Sequence, residues 1–205
     1  MLDTVAAASS CGPSTILDLL PVLAGLPYVR FLHFRRYGYQ VAHGARAVAL
    51  GADRVGELLD TGSRDVAVHR LAAEAVATYD LVPGDNECIA LSSLVETAHG
   101  PRHLLLLDFA CEPSPEAQAD LLAFLERAGW RGWLLMSGAS YHFVGLDLLP
   151  FETWARAMGK ALLIPGIDVR YIGHRLAGGM GGLRVTAHPR KPTVPFVVAT
   201  VGQSE

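Results

Sequence analysis

The chain has 205 residues, of which 51% are apolar, and a formal net charge of −3. This composition is typical of a globular protein, and it excludes both a disordered chain and a protein drawn to nucleic acid by its overall charge. The length suits one large domain or two small subdomains that share a core.

The N-terminal half contains three predicted elements and a turn. In "STILDLLPVLAG", Ser14 can cap a short helix that ends at Pro21 or Gly25. "YVRFLHFRR" alternates well enough to predict a strand, and residues 65–79 carry apolar side chains at the spacing of a helix. "PGDN" at residues 83–86 predicts a turn.

The C-terminal half shows clearer patterns. "HLLLLDFAC" predicts a strand that is covered on both faces, and Ser114 can cap a helix that has Pro115 at its first position. "GWLLMS" predicts a strand, "PFETWARAMGKALL" an amphipathic helix, and "IDVRYIG", "GLRVTA" and "PFVVATV" three more strands. We therefore expect an α+β fold in one compact body, with an N-terminal α/β subdomain (residues 1–100) and a second subdomain (residues 101–205).

Cysteine spacing and hydropathy bear on location. Cys11, Cys88 and Cys111 lie far apart and include no CxxC pair, which argues against a zinc knuckle or a disulfide framework. The first 25 residues lack the basic leader of a signal peptide, and no apolar run approaches the roughly 18 residues of a spanning helix. We expect a cytoplasmic protein without a membrane partner.

The first candidate site lies at the end of "LLLLDFACEP". On an extended chain residues 108, 110 and 112 point to the same face, so Asp108 and Glu112 could share a Mg²⁺ ion, while position 110 is alanine. The alternative is that Asp108 only ends the strand and Glu112 is solvated.

The second candidate is the turn formed by residues 137–140. Ser137, Gly138, Ala139 and Ser140 could aim backbone N–H groups at a phosphate, and His142 could add a donor. A histidine satisfied within the core is the alternative explanation.

The third candidate combines Asp168 with a basic stretch. Arg170, Arg175, Arg184, Arg190 and Lys191 follow Asp168 closely, and "AGGMGG" predicts a hairpin tip. Arginines beside a carboxylate favour an anionic ligand with a metal ion between them. A solvated basic edge strand would explain the same residues.

In this order, the three candidates resemble the archaeo-eukaryotic primase superfamily, including the polymerase domains of bacterial DNA ligases. "LLLLDFA" is similar to its strand ending in Asp-x-Asp, "MSGASYHFVG" to its Ser-x-His motif through Ser140 and His142, and "GIDVRYIG" to its third aspartate through Asp168. The resemblance covers residues 85–200 and implies a primase-polymerase-like fold with an RRM-like C-terminal half.

The resemblance also implies metal-dependent nucleotidyl transfer with Mg²⁺ or Mn²⁺, in DNA replication or repair. Asp108 and Asp168 would be catalytic metal ligands, with Glu112 as a possible third ligand. The implied nucleotide-binding residues are Ser137, Ser140, His142, Arg184, Arg190 and Lys191. The implied partners are a nucleoside triphosphate, a DNA or RNA primer and template, and a partner subunit.

The first motif departs from the family pattern, because Ala110 replaces the second aspartate. A nucleotidyltransferase and a catalytically decayed nucleotide- or nucleic-acid-binding module therefore both stay open. A serine or cysteine hydrolase has little support, since "MSGAS" lacks the glycine two residues before the nucleophile. An RNA-binding platform would need paired aromatic residues on central strands.

Overall fold

The computed structural model describes residues 14–38, 68–77, 81–83 and 87–202. Within these residues there are four α-helices, nine strands and one short 3₁₀ helix, Ala73–Ala75. The helices are α1 (Ile16–Ala24), α2 (Pro115–Arg127), α3 (Phe151–Ala161) and α4 (Val169–Gly178). The strands are β1 (Val29–Gly38), β2 (Val68–Ala72), β3 (Glu87–Thr97), β4 (Gly100–His103), β5 (Leu106–Asp108), β6 (Gly132–Met136), β7 (Tyr141–Gly145), β8 (Gly182–Arg184) and β9 (Phe196–Val201).

The first sheet has five antiparallel strands, with β2, β1, β3 and β4 as neighbours in that order and β8 also paired with β3. Two short strands share one edge of β3. β8 pairs with its first half, where Ala90 lies opposite Arg184, and β4 pairs with its second half, where Leu94 lies opposite His103. A strand from the C-terminal half thereby joins the sheet of the N-terminal half.

The second sheet has four antiparallel strands in the order β5, β7, β6, β9. The start of the described chain is tied to this sheet, because Thr15 forms a bridge with Phe196 and the Ile16 N–H donates to the Pro195 carbonyl at 2.8 Å. Buried residues from both sheets form one apolar cluster. Its largest fully buried side chains are Trp154, Tyr141, Phe34, Phe109 and Phe143.

Local capping signals account for two helix starts. The Ser114 hydroxyl accepts the Ala117 N–H at 3.0 Å, which satisfies one of the free donors at the start of α2 as predicted. In α1 the predicted cap was wrong by one residue. Thr15 is the N-cap, and its N–H donates to the Asp18 carboxylate at 2.8 Å.

Two other predictions from periodicity were wrong. Within residues 65–79, which were predicted to be helical, the described residues form β2 and the 3₁₀ helix, because β1 offers an edge that β2 pairs with. "IDVRYIG" contains the first turns of α4 and is not a strand, and the predicted hairpin tip "AGGMGG" begins inside α4 and ends in β8. Residues 84–86 of the predicted turn lie outside the described residues.

The predicted fold class is confirmed: the structure is mixed α+β with two antiparallel sheets. The strands predicted in "YVRFLHFRR", "GWLLMS" and "PFVVATV" are present as β1, β6 and β9, and α3 lies where the amphipathic helix was predicted. The subdomain boundary at residue 100 and the RRM-like character of the second half stay predictions. No helix in the described part of the chain has the length and apolar character needed to cross a bilayer.

Candidate functional site

Asp108 and His142 face each other across two neighbouring strands. Asp108 is the last residue of β5 and lies opposite His142 in β7. Opposite residues in an antiparallel pair share a face of the sheet, so their side chains are close. The His142 Nε2 and Asp108 Oδ1 atoms are 3.4 Å apart.

Asp168 joins this pair through the start of α4. Its backbone N–H donates to the Asp108 carbonyl at 3.0 Å. Its Oδ1 atom accepts the N–H groups of Arg170 and Tyr171 at 2.9 and 3.1 Å, so Asp168 caps α4. The Tyr171 hydroxyl donates to the Leu106 carbonyl at 3.0 Å, which binds the helix to β5. The three residues that the motif order selected therefore lie together at one end of the second sheet.

The Asp108 carboxyl is in an unusual electrostatic environment. Burial, and next the negative charge of Asp168, raise the pKa of Asp108 to about 7. Lys191, Arg175 and the Phe109 N–H act in the opposite direction. At neutral pH the site therefore favours a partly protonated carboxyl group at Asp108, beside the negative charge of Asp168.

His142 is neutral even though it lies within ion-pair distance of Asp108. Burial, and next the positive charges of Arg184 and Lys191, lower the pKa of His142 to about 3. The contact with Asp108 is therefore not an ion pair at neutral pH. The Nδ1 atom of His142 is buried without a hydrogen-bond partner in the described part of the chain.

The turn between β6 and β7 uses its two hydroxyls internally. The N–H and the hydroxyl of Ser137 both donate to the Ser140 carbonyl, at 2.8 and 3.1 Å. The Ser140 hydroxyl donates to the Phe109 carbonyl. Gly138 has a φ of 111°, which is a backbone conformation that favours glycine. In this structure the two serines hold the hairpin against the end of β5, and their predicted contact with a nucleotide stays a prediction.

The predicted basic residues differ in their surroundings. Arg184 is buried, and its guanidinium donates to the carbonyls of Ser137, Thr186 and Thr193. Lys191 is half-buried, and its charge acts on both Asp108 and His142. Arg190 is exposed. Arg184 thus connects the Ser137 turn to the segment that follows β8, and its charge acts on His142, while the charge of Lys191 acts on both His142 and Asp108.

The donor set fits one divalent ion better than two. Asp108 and the free oxygen of Asp168 could hold one Mg²⁺ ion, which commonly takes one or two carboxylates and completes its shell with water and substrate phosphates. Ala110 and Glu112 are both exposed beyond the end of β5. Among the described residues, no group of three or more His, Cys, Asp or Glu side chains could hold a metal ion. A two-metal centre lacks its bridging carboxylate here.

Sequence reasoning missed one arginine near this site, Arg35, and named another, Arg175, only as part of the basic stretch after Asp168. Arg175 lies in α4 seven residues after Asp168, and its charge lowers the pKa of Asp108. Arg35 lies in β1, and the charge of Arg175 lowers its pKa as well, after burial. The helical structure after Asp168 places Arg175 on the same side of α4 as Asp168, whereas nothing near "HFRRY" in the sequence indicates which element Arg35 faces.

Comparison with protein families shows which family this chain belongs to. The model of a family described as archaeo-eukaryotic primase 1D-like matches residues 71–195, more than half of the chain. The chain belongs to this primase-like family. The predicted resemblance is thereby confirmed, and the matched range includes Asp108, His142 and Asp168. No curated protein and no solved structure gives a significant match.

Proposed function

We propose that this primase-like chain binds a nucleoside triphosphate together with one Mg²⁺ or Mn²⁺ ion and acts as a nucleotidyltransferase. The observation that supports the proposal is the meeting of Asp108, Asp168 and His142 at one end of the second sheet. Perturbed carboxyl groups of this kind are typical of functional sites.

Each side chain contributes a separate property to such a site. Asp168 is held in position by the two N–H groups that it caps, so its remaining oxygen is preorganised. Asp108 carries a pKa of about 7, and a nearby cation would favour its ionised form. A neutral His142 can donate one hydrogen bond, to Asp108 or to a phosphate oxygen, without adding charge. A bound divalent ion would neutralise part of the phosphate charge.

A second candidate function is nucleotide binding without transfer. Ala110 stands where the family pattern has an aspartate, and Glu112, the nearest replacement in sequence, is exposed. Loss of one bridging carboxylate weakens the clamp on the attacking and leaving oxygens while leaving phosphate binding possible. The two functions share the binding site and differ only in chemistry.

Binding and transfer are separated by measuring both on the same variants. Titration of Mn²⁺ and a nucleoside triphosphate is compared for wild type, Asp108→Asn, Asp168→Asn and the control Asp120→Asn, which removes an exposed carboxylate of α2. We expect metal-dependent binding to weaken about tenfold or more in the two site variants only. Metal-dependent binding that is equal in all four proteins would refute the site.

The Ala110→Asp variant tests directly whether the site can transfer a nucleotide. Ala110 is exposed, and its backbone N–H is fixed by the Gly166 carbonyl at 2.7 Å, so a carboxylate can be added there without disturbing the core. Primer extension by the wild type supports the nucleotidyltransferase. Extension only by Ala110→Asp supports the decayed binding module, because the missing ligand is then the sole defect.

A further inference from the structure

The first sheet places two arginines on one face. Arg35 of β1 lies opposite Ala90 of β3, and Ala90 lies opposite Arg184 of β8. Residues in register share a face, and neighbouring strands are about 4.8 Å apart, so the two arginine backbones are about 10 Å apart. Between them stands the small methyl group of Ala90, which is buried.

Helix α4 carries a third arginine, Arg175, whose charge acts on Arg35. Asp168, Tyr171 and Arg175 follow one another at intervals of three and four residues, so they lie along one side of the helix. Tyr171 is bonded to the Leu106 carbonyl, and the Arg175 guanidinium carbon is 5.0 Å from the centre of the Tyr171 ring. The same helix face that carries Asp168 to Asp108 therefore holds Arg175 in a defined position.

Arg35 and Arg175 each keep one buried nitrogen without a partner in the described part of the chain, although a side-chain hydrogen bond joins Arg175 to Tyr171. The Nε atom of each is buried without a hydrogen-bond partner among the described residues, and neither forms an ion pair with any of them. Arg36 also has an unpaired Nε atom, but it is ion-paired with Glu87 at 3.4 Å. Burial and the charge of Arg175 lower the pKa of Arg35, so the two cations are close enough to repel.

Such an arrangement is unfavourable unless an anion is present. Buried donors without partners cost free energy, and a pair of like charges adds to that cost. Guanidinium groups present several N–H donors in a plane and match the oxygens of a phosphate group. The charge of Arg175 acts on Asp108 as well as on Arg35, so Arg175 connects the carboxyl site with Arg35.

We propose that Arg35 and Arg175 form a phosphate-binding subsite between β1 and α4, beside Asp108 and Asp168. The phosphate group belongs either to the nucleoside triphosphate or to the backbone of a nucleic-acid strand. The subsite deepens the proposed function, and it rests on that function for its ligand class. Its residues come from both halves of the chain.

Pyrophosphate without metal is the probe that isolates the subsite from the carboxylates. Calorimetric titration in EDTA is performed on wild type, Arg35→Gln and Arg175→Gln. The controls are Arg30→Gln and Arg156→Gln, which remove exposed arginines of β1 and α3. We expect binding about tenfold weaker in the two subsite variants and unchanged in the controls. Equal affinity in all five proteins would overturn the proposal.

Thermal unfolding shows whether the variants fold. Because each substitution removes a buried unpaired donor and a like-charge repulsion, we expect Arg35→Gln and Arg175→Gln to melt at or above the wild-type temperature. Pyrophosphate should raise the melting temperature of the wild type and of the controls, and not that of the subsite variants. An equal rise in all five proteins would contradict the subsite.

Two further ligands identify the source of the phosphate. If the triphosphate supplies it, both subsite variants lose affinity for a nucleoside triphosphate and keep their affinity for an oligothymidylate; a strand phosphate gives the reverse. Failure of the subsite is separable from failure of the proposed function. If Asp168→Asn abolishes metal-dependent triphosphate binding while the arginine variants bind all probes normally, only the subsite is wrong.

Discussion

Asp108→Asn should stabilise the protein, and by more at high pH than at low pH. The pKa of Asp108 is raised from 3.8 to about 7 in the folded state. Between these values the folded protein binds more protons than the unfolded chain, so the stability contributed by this residue falls as pH rises from about 4 to about 7. Asparagine has a similar shape and no charge, and it removes this pH-dependent loss.

The expected gain in unfolding free energy follows from the pKa shift of Asp108. At about 1.4 kcal/mol per pKa unit, a shift of about three units corresponds to about 4 kcal/mol as an upper bound. The Asp108 side chain is 33% exposed, so solvent screening reduces this figure. We expect an advantage of about 1–2 kcal/mol for Asp108→Asn at pH 8 that is nearly absent at pH 4.

Urea unfolding of the wild type, Asp108→Asn and the control Asp120→Asn at pH 4 and pH 8 provides the measurement. The double difference between proteins and pH values cancels the titration of the groups that do not interact with residue 108. An Asp108→Asn advantage that is constant or shrinks with pH would refute the reasoning. Excess Mg²⁺ at pH 8 should stabilise the wild type and have a smaller effect on the variant.

Three other substitutions test structural features around the site. Gly132→Ala should cost about 3 kcal/mol of unfolding free energy, since a Cβ atom there would lie 2.1 Å from the Val144 carbonyl oxygen; denaturant unfolding measures this loss. Arg184→Lys should destabilise the fold by about 2–3 kcal/mol, because one ammonium group cannot serve three separate carbonyls; a drop in melting temperature reports it. Ser114→Ala should cost about 1 kcal/mol through the lost cap on the Ala117 N–H, with triphosphate affinity unchanged in titration.

Elements with strong local signals were predicted well from the sequence. The Ser114 cap and Pro115 mark the start of α2, and the apolar alternation of "YVRFLHFRR" marks β1. In such segments the capping residues, the apolar period and the intrinsic propensity all favour the same element. The element can therefore be predicted without knowing which distant residues pack against it.

Elements whose local and tertiary preferences conflict were predicted wrongly. The residues Ile167, Val169, Tyr171 and Ile172 favour strands by propensity. The capping bonds of Asp168 and the burial of Tyr171 against β5 outweigh this preference and give α4. Likewise the segment that forms β2, Val68–Ala72, is held by pairing with β1, which a local window cannot detect.

The candidate site was only partly accessible from sequence. Asp108, His142 and Asp168 were selected because the order of their motifs resembles a family, and spacing alone would not have brought them together. Arg35 was not selected, because the charge that acts on it belongs to Arg175, which is far away in the sequence. Long-range packing of this kind leaves no periodic signal in the chain.

The pairing of β8 with β3 has a consequence for the order of events during synthesis. β3 has left the ribosome long before its partner at residues 182–184, so the edge of Ala90–Ser92 stays unpaired while the intervening residues are made. An open edge of that kind can pair with another chain. We therefore expect the nascent protein to be prone to association until residues 182–184 emerge, and slow translation between β3 and β8 to lower its yield.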